Sequence, residues 1–523
     1  MREEGLTPCD GSLLRLTCWQ VLMPETRARP GGPFVELAIV RVSHSTAPAG
    51  HAHILPASGP GDSGVRVALD LATQDDAMLA EVMDGGLIGI DQRGTGDSVP
   101  CPRTTVRYEL PLDQLASEAN WLQLAERAPS AVAAQMRERG IELQAYNTEE
   151  SADDVDAVRQ TLGEDRRGLW GHSYGSHPAL AMARRHPRGV ERVVLVGPEG
   201  PDNTWKLPFV TGAVLQCIAE RAGAREMPAQ LPKATARLAQ APAHLDVSDL
   251  ARGRNVCVVL DALDLQWLVA QIIRDPRALA TLPAAAREMR AGNFRRIGSL
   301  AMRLRRHAGV RSATKHMTDL TSDASAARQA RFAREEANAA LGDAMYFPDR
   351  HLHAARQAQP LGEAFRQPVT VPVPTLLLLG DLDARAPMEN AREITAALPR
   401  AHLVVAKNEA HRFDLFGPSE LRLLLRRIVR GDSDLLARDM DLEALPASGD
   451  DTLELESELA ALRDGLARLP TLECEVLTLF YLQELSLDEV AQVLAVPVGT
   501  VKSRLHRARR LLRHQLGIQG GRG

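Results

Sequence analysis

The chain has 523 residues, with 62 Lys and Arg against 67 Asp and Glu, so its formal net charge is −5. Hydrophobic residues make up 45% and charged residues 25%, an ordinary globular composition that excludes a largely disordered or fibrous chain. At about 150 residues per domain, this length predicts two to four domains.

Targeting and metal-binding patterns are missing from the sequence. No apolar run approaches the roughly 20 residues that a membrane-spanning helix needs, and the acidic start lacks the apolar stretch of a signal peptide. The six cysteines are scattered without a CxxC pair, so we expect free thiols, no metal and no cofactor. These patterns predict a cytoplasmic protein without membrane contact.

Short apolar runs that alternate with helical stretches predict an α/β domain. The predicted strands are 35–42, 86–90, 168–170, 190–196, 375–379 and 402–405. Because each later run follows an amphipathic stretch, the pattern indicates a mostly parallel sheet. Residues 203–365 are rich in Ala and Arg and nearly strandless. They predict a helical lid between two halves of the sheet, 1–202 and 366–430.

The pentapeptide GHSYG at 171–175 is the strongest chemical signal. It lies between the predicted strand 168–170 and a helical stretch, where a G-x-S-x-G turn lifts a serine hydroxyl clear of the backbone. Its small residues let the strand and the helix approach each other. This context predicts Ser173 as a nucleophile, with the amide of Tyr174 pointing toward the oxyanion that forms.

A nucleophilic serine needs a base and an orienting acid, which follow it in this type of fold in the order acid, then histidine. Asp381 and Asp383 both come after strand 375–379, and His411 comes after the next strand. The carboxyl ends of such strands are where open α/β sheets place their ligands. The pattern predicts His411 as the base and leaves both aspartates open as the acid.

Two glycine-containing loops follow early strands. The loop 57–64 comes after the apolar residues 53–56, and it can supply the second oxyanion amide because glycines let the backbone approach a substrate closely. The segment DQRGTGDS at 91–98 follows strand 86–90. Its Asp and Arg are predicted to brace the loops rather than to react.

These motifs resemble those of the α/β-hydrolase superfamily and, within it, the proline iminopeptidase and tripeptidyl aminopeptidase group. The likeness covers about residues 15–430 and depends on GPGxSG at 59–64, DQRGTGxS at 91–98 and GHSYG at 171–175. The group's G-x-x-D-x-x-x-P pattern matches Gly380, Asp383 and Pro387. The resemblance therefore implies Asp383 as the acid, His411 as the base, and the amides of Gly59 and Tyr174 as the oxyanion hole.

Two points of the resemblance concern substrate handling. Members of the group often begin the oxyanion loop with histidine, whereas this chain has Ala57-Ser58 there. Members that select a free N-terminus hold the amine with acidic residues, and Glu199, just past strand 190–196, is the candidate for this role.

The last part of the chain changes in charge. Residues 450–489 are rich in acids, and no acid follows Glu489. Ser486 and Glu489 form a capping-box pattern at the start of a helix, and a turn at 496–499 precedes a basic helix from about Thr500. Apolar residues of this second helix recur at helical spacing, at Val501, Leu505, Ala508, Leu512 and Leu516. The pattern predicts a small all-α helix-turn-helix domain at 453–517, joined through a linker at 431–452.

This segment closely resembles region 4 of extracytoplasmic-function sigma factors over about residues 454–516, above all at 497–509. The resemblance implies contacts with a −35-like element of duplex DNA and with RNA polymerase. Arg504 and Arg507 would contact bases or phosphates and Lys502 a phosphate, with Thr500 and Ser503 beside them. Nothing upstream resembles the promoter-melting region 2.

Two hypotheses follow from the sequence. The first is a serine hydrolase, an aminopeptidase of the proline iminopeptidase type acting on a small peptide or ester, with a DNA-binding module. The alternative is a transcription regulator that acts in initiation and uses a ligand-sensing or impaired hydrolase domain. Covalent labelling of Ser173 distinguishes the two.

Overall fold

The computed structural model describes part of the chain. The described residues are 2–6, 14–29, 31–44, 52–56, 58–74, 86–101, 110–115, 117–249, 254–273, 282–307, 313–347, 351, 359–411, 419–429, 440–443, 469–470, 473, 476–477, 490–491, 494 and 496–515. The chain divides into two compact units, Met1–Val247 with Val256–Ala444, and Ser248–Asn255 with Leu445–Gly523. Within the described residues, none of the helices has the length and apolarity needed to cross a membrane.

A sheet of ten described strands forms the centre of the first unit. In spatial order its strands are β1, β2, β3, β5, β4, β6, β7, β10, β11 and β12. Their bounds are β1 (Arg2–Leu6), β2 (Leu14–Pro24), β3 (Phe34–His44), β4 (His53–Pro56), β5 (Leu87–Ile90), β6 (Arg167–His172), β7 (Val190–Val196), β10 (Thr375–Gly380), β11 (Ala401–Lys407) and β12 (Met440–Glu443). The pairs from β1 through β3 to β5 are antiparallel, and all pairs from β5 to β12 are parallel. The predicted mostly parallel sheet is confirmed.

Helices flank this sheet and fill the segments between its strands. Those of the first unit are α1 (Gly64–Gln74), α2 (Glu118–Glu138), α3 (Thr148–Thr161), α4 (Ser176–Arg185), α5 (Pro208–Arg221), α6 (Met227–Gln240), α7 (Ala262–Ile272), α8 (Leu282–Arg290), α9 (Arg295–His307), α10 (Ala313–Ser322), α11 (Ala326–Glu336), α12 (Glu363–Arg366), α13 (Met388–Ala397) and α14 (Ser419–Val429). The second unit holds α15 (Val498–Gln515).

The hydrophobic core lies on both faces of the sheet. In β10, Leu377 and Leu379 pack into the core on one face, and Leu376 and Leu378 pack into the core on the other. All four are at most 1% exposed. A parallel strand covered by helices on both faces needs a continuous apolar run, which explains why 375–379 was recognisable as a strand.

The structure corrects the prediction that residues 203–365 are almost strandless. Strands β8 (Ala243–Asp249) and β9 (Arg254–Leu260) form a separate two-stranded sheet there. In β8 the exposed His244 and Asp246 alternate with the less exposed Leu245 and buried Val247, the period of a half-buried strand. The helical stretches of this region are otherwise present, as α5 to α11.

The predicted linker 431–452 also differs from the structure. Strand β12 lies inside it and pairs in parallel with Val404–Lys407 of β11. Met440 and Leu442 alternate with Asp441 and Glu443, which is strand periodicity in a segment too short and too charged to be recognised. The sheet therefore extends beyond residue 430, and the rest of the predicted linker lies outside the described residues.

Candidate active site

Ser173 stands at a sharp turn between a strand and a helix. Strand β6 ends at His172, a single turn of 3-10 helix covers Ser173–Gly175, and α4 begins at Ser176. The backbone of Ser173 has φ 54°, a left-handed conformation that costs a non-glycine residue about 1–3 kcal/mol. A Cβ at Gly171 would lie 2.5 Å from the carbonyl oxygen of Gly175, so the turn requires glycine there.

The structure brings Ser173, His411 and Asp383 together in one hydrogen-bonded chain. His411 Nε2 lies 2.9 Å from Ser173 Oγ, and His411 Nδ1 lies 2.8 Å from Asp383 Oδ2. The backbone N–H groups of Arg385 and Ala386 both donate to Asp383 Oδ1, at 2.8 Å. All three side chains are buried, with exposed fractions of 6% for Ser173, 7% for His411 and 1% for Asp383. This arrangement can transfer a proton from Ser173 to His411.

Asp381, the other aspartate left open by the sequence, is held elsewhere. Its carboxylate accepts two hydrogen bonds from Arg221, at 2.9 and 2.6 Å, and one from the backbone N–H of Asn408, at 2.8 Å. The geometry therefore places Asp383, and not Asp381, against His411.

Gly197 is a site residue that the sequence reasoning missed. It follows β7 with φ 53°, and a Cβ there would lie 3.1 Å from His411 Cε1 and 3.2 Å from Asp383 Oδ2. A side chain would press on both the base and the acid while adopting a strained backbone. The available signal was its position just past the carboxyl end of a predicted strand.

The predicted oxyanion residues lie on two segments, Gly59 in the turn after β4 and Tyr174 next to Ser173 in the 3-10 turn. Gly59 follows β4 and has φ 112°, and the backbone N–H of Asp62 donates to the carbonyl of Ser58 across this tight turn. Tyr174 is buried, its hydroxyl lies 3.1 Å from Thr148 Oγ1, and burial raises the pKa of that hydroxyl. The roles of the Gly59 and Tyr174 amides stay predictions.

Glu199, the predicted amine ligand, already has a cation as its partner. Its carboxylate lies 2.7 Å from Lys206 Nζ, and both side chains are buried. Burial alone would raise the pKa of Glu199, but the charges of Lys206, His177 and Arg385 together with the hydrogen bond from Lys206 lower that pKa to about 2. His177 lies 3.9 Å away, and burial lowers its pKa to about 4, so its ring is neutral at pH 7.

Replacing Lys206 by Met should destabilise the protein by about 3–5 kcal/mol at pH 7, because it leaves the Glu199 carboxylate buried without its cation. The loss should shrink toward pH 4, since burial then raises the pKa of Glu199 above its ordinary 4.5 and protonation removes the charge. Urea unfolding measures both effects. The matched control is Lys233→Met, the same substitution at an exposed lysine of α6. An equal loss of stability in that variant would show that the ion pair is not responsible.

The described part of the second unit presents one basic helix. Val501, Leu505 and Ala508 of α15 are buried and pack with Val476 and Val490, which confirms the predicted apolar stripe at those positions. The residues predicted to contact DNA lie within 500–507 of α15: Lys502, Ser503 and Arg507 are exposed, and Thr500 and Arg504 are partly exposed. The capping box at 486–489 and Leu516 lie outside the described residues.

Two of these side chains have partners within the second unit. The hydroxyl of Ser503 donates to the carbonyl of Thr500 at 2.9 Å. Arg507 Nε lies 3.3 Å from Glu473 Oε1, although the Arg507 side chain remains 64% exposed. Lys502, Ser503 and Arg507 are therefore accessible on one helix, with Arg507 oriented by an acid.

Three families match parts of the chain. Residues 86–241 match the alpha/beta hydrolase fold family, residues 350–419 the TAP-like protein family, and residues 459–512 the sigma-70 region 4 family. The α/β-hydrolase fold and the C-terminal region 4 domain predicted from the motifs are thus confirmed.

Three curated proteins illustrate these similarities. Serine protease Hip1 of Mycobacterium tuberculosis is 28% identical over 210 residues, 38% of this chain and 39% of that protein. Tripeptidyl aminopeptidase of Streptomyces coelicolor is 26% identical over 198 residues, 36% of this chain and 37% of its own length. The ECF RNA polymerase sigma factor SigW of Bacillus subtilis is 42% identical over 72 residues, 14% of this chain and 37% of that protein. The chain thus spans about two fifths of the length of the curated relatives it matches.

Proposed function

We propose that this chain, an α/β hydrolase joined to a sigma-70 region 4 domain, is a serine hydrolase that cleaves peptide or ester bonds through an acyl-enzyme. The observation that supports this most is the hydrogen-bonded chain from Ser173 Oγ through His411 to Asp383, at 2.9 and 2.8 Å. The strained backbone of Ser173 adds support, because such strain concentrates at functional residues.

In this mechanism His411 Nε2 accepts the proton of Ser173 as Oγ attacks the substrate carbonyl. Asp383 accepts a hydrogen bond from Nδ1–H without taking its proton, so it fixes the tautomer of His411 and stabilises the imidazolium that forms. The amides of Gly59 and Tyr174 donate to the oxyanion. His411 then protonates the leaving group, and water activated by the same base releases the acyl group.

We further propose an aminopeptidase of the proline iminopeptidase type. The similarity to tripeptidyl aminopeptidase and the TAP-like match at 350–419 support it. Recognition of a free amine by Glu199 would require the substrate ammonium to take the place of Lys206 at that carboxylate, which lies 2.7 Å from Nζ. Peptides with free and acylated N-termini, compared by kcat/KM, test this selectivity.

A fluorophosphonate probe tests the proposed chemistry directly. The folded chain should be labelled covalently at Ser173, and Ser173→Ala should lose all labelling, while Ser299→Ala, a serine on α9, should be labelled like the wild type. A folded wild-type chain that is not labelled would contradict the hydrolase proposal.

The second unit supports a further proposal, that it binds a −35-like duplex and RNA polymerase. The observations behind it are the region 4 match at 459–512 and the accessible basic residues of α15. If labelling of Ser173 fails while DNA binding is found, the alternative function is favoured, a transcription regulator with a ligand-sensing or impaired hydrolase domain.

A further inference from the structure

Asp91 connects two loops beside the proposed active site. It follows β5, is 0% exposed, and its Oδ1 accepts from Ser63 Oγ at 2.6 Å and from the backbone N–H of Val65 at 3.0 Å. Its Oδ2 accepts from the backbone N–H of Asp97 at 2.8 Å. Ser63 is the last residue of the Gly59 loop (residues 58–63), and Val65 lies in the first turn of α1. The Asp91 carboxylate therefore connects this loop to the end of β5.

The backbones of α1 and β5 approach so closely at this junction that no side chain fits between them. A Cβ at Gly64 would lie 2.2 Å from the carbonyl oxygen of Ile90, and one at Gly89 would lie 2.5 Å from the carbonyl oxygen of Gly64. Gly96, at φ 53°, would place a Cβ 2.0 Å from Asp91 Oδ2. Because the start of α1 lies directly against β5, the Asp91 hydrogen bonds act on a close-packed contact.

The other end of the Gly59 loop is fixed to the same strand. Strand β4 ends at Pro56, which pairs with Ile90, the residue before Asp91. The loop therefore leaves the sheet next to Ile90 and returns to it at Asp91. Because β4 also pairs with β6, the strand that leads into Ser173, the same sheet fixes the loop relative to the nucleophile.

We propose that Asp91 is a positioning residue that fixes the distance between the Gly59 amide and the oxyanion. This inference rests on the proposed function. Oxyanion donors must lie 2.7–3.1 Å from the developing charge, so a displacement of about 0.5 Å weakens them. A carboxylate can accept all three hydrogen bonds, whereas an amide of the same size would turn a donor toward one of the three. Asp91 acts through the loop and does not touch the substrate.

Asp91→Asn in the full chain should lower kcat by about 10- to 1000-fold and change KM by less than about 3-fold, because the oxyanion exists only in the transition state. Ser63→Ala, which removes one of the three hydrogen bonds, should lower kcat by a smaller factor in the same way. The control is Asp70→Asn, the same substitution at an exposed carboxylate of α1, which should leave both constants unchanged.

The outcomes separate this inference from the proposed function. An active wild type together with unchanged kcat in folded Asp91→Asn would overturn the positioning role. So would a rise in KM as large as the fall in kcat, or an equal loss in Asp70→Asn. If Asp91→Asn does not fold, the kcat and KM of Ser63→Ala decide the question. A wild type that is neither labelled nor active overturns the proposed function itself, and the inference with it.

Discussion

Replacing Asp383 by Asn should lower kcat by on the order of 10⁴ while the protein remains folded. Asp383 Oδ2 lies 2.8 Å from His411 Nδ1 and fixes the tautomer in which Nε2 is free to accept the serine proton. An asparagine amide can donate to Nδ1 instead, which places the ring proton on Nε2, facing Ser173. His411 then cannot act as a base, and steady-state kinetics with an activated ester should measure the loss.

Asp381→Asn is the matched control for this experiment. Asp381 stands two residues earlier and belongs to a separate ion pair with Arg221, so its loss should change kcat by less than about 3-fold. If Asp381→Asn causes the large fall and Asp383→Asn does not, the acid has been assigned to the wrong residue. Circular dichroism of both variants shows whether the fold is retained.

The sequence predicts the conformation of the nucleophile turn because steric constraints between neighbouring residues determine it. A serine between small residues at a strand-to-helix junction has few structural alternatives, and the turn at Ser173 has the strained backbone that the pattern implies. The choice between Asp381 and Asp383 was different. Both follow β10, and only the path of the chain after the strand decides which carboxylate faces His411.

One buried ion pair could not be predicted from the sequence. Nothing in the order of residues shows that Lys206 folds back onto Glu199 to form a buried ion pair, yet this pair changes the interpretation of Glu199 as an amine ligand.

Strand β12 could not be predicted because its composition is that of a linker. Charged side chains are tolerated and common on edge strands, so Asp441 and Glu443 resemble linker composition.

In the C-terminal domain, periodicity predicted the buried stripe of α15 because a helix that packs on one face must repeat apolar residues every three to four positions. The same reasoning could not reveal the pair between Arg507 and Glu473, which are 34 positions apart along the chain. This pair bears on DNA recognition, because Glu473 competes with bases and phosphates for the Arg507 guanidinium.

The full chain should bind duplex DNA with an affinity that falls as salt rises. The net charge of −5 opposes binding, so the attraction must come from the local cluster on α15. Three phosphate contacts would lower the affinity by about 40-fold between 50 and 200 mM salt. Fluorescence anisotropy with −35-like and scrambled duplexes measures this slope.

Variants of α15 separate phosphate contacts from base contacts. Lys502→Glu should weaken binding to both duplexes alike and reduce the salt slope, whereas Lys233→Glu, the same charge reversal at an exposed lysine of the hydrolase unit, should have little effect.

Arg504→Ala or Arg507→Ala should cost about 1–3 kcal/mol on the −35-like duplex where the side chain contacts a base, and less on the scrambled one. Glu473→Gln should strengthen binding a few-fold, because it releases Arg507 from its acid partner at 3.3 Å. Equal, salt-insensitive binding of both duplexes, unchanged in Lys502→Glu, would contradict DNA recognition by α15.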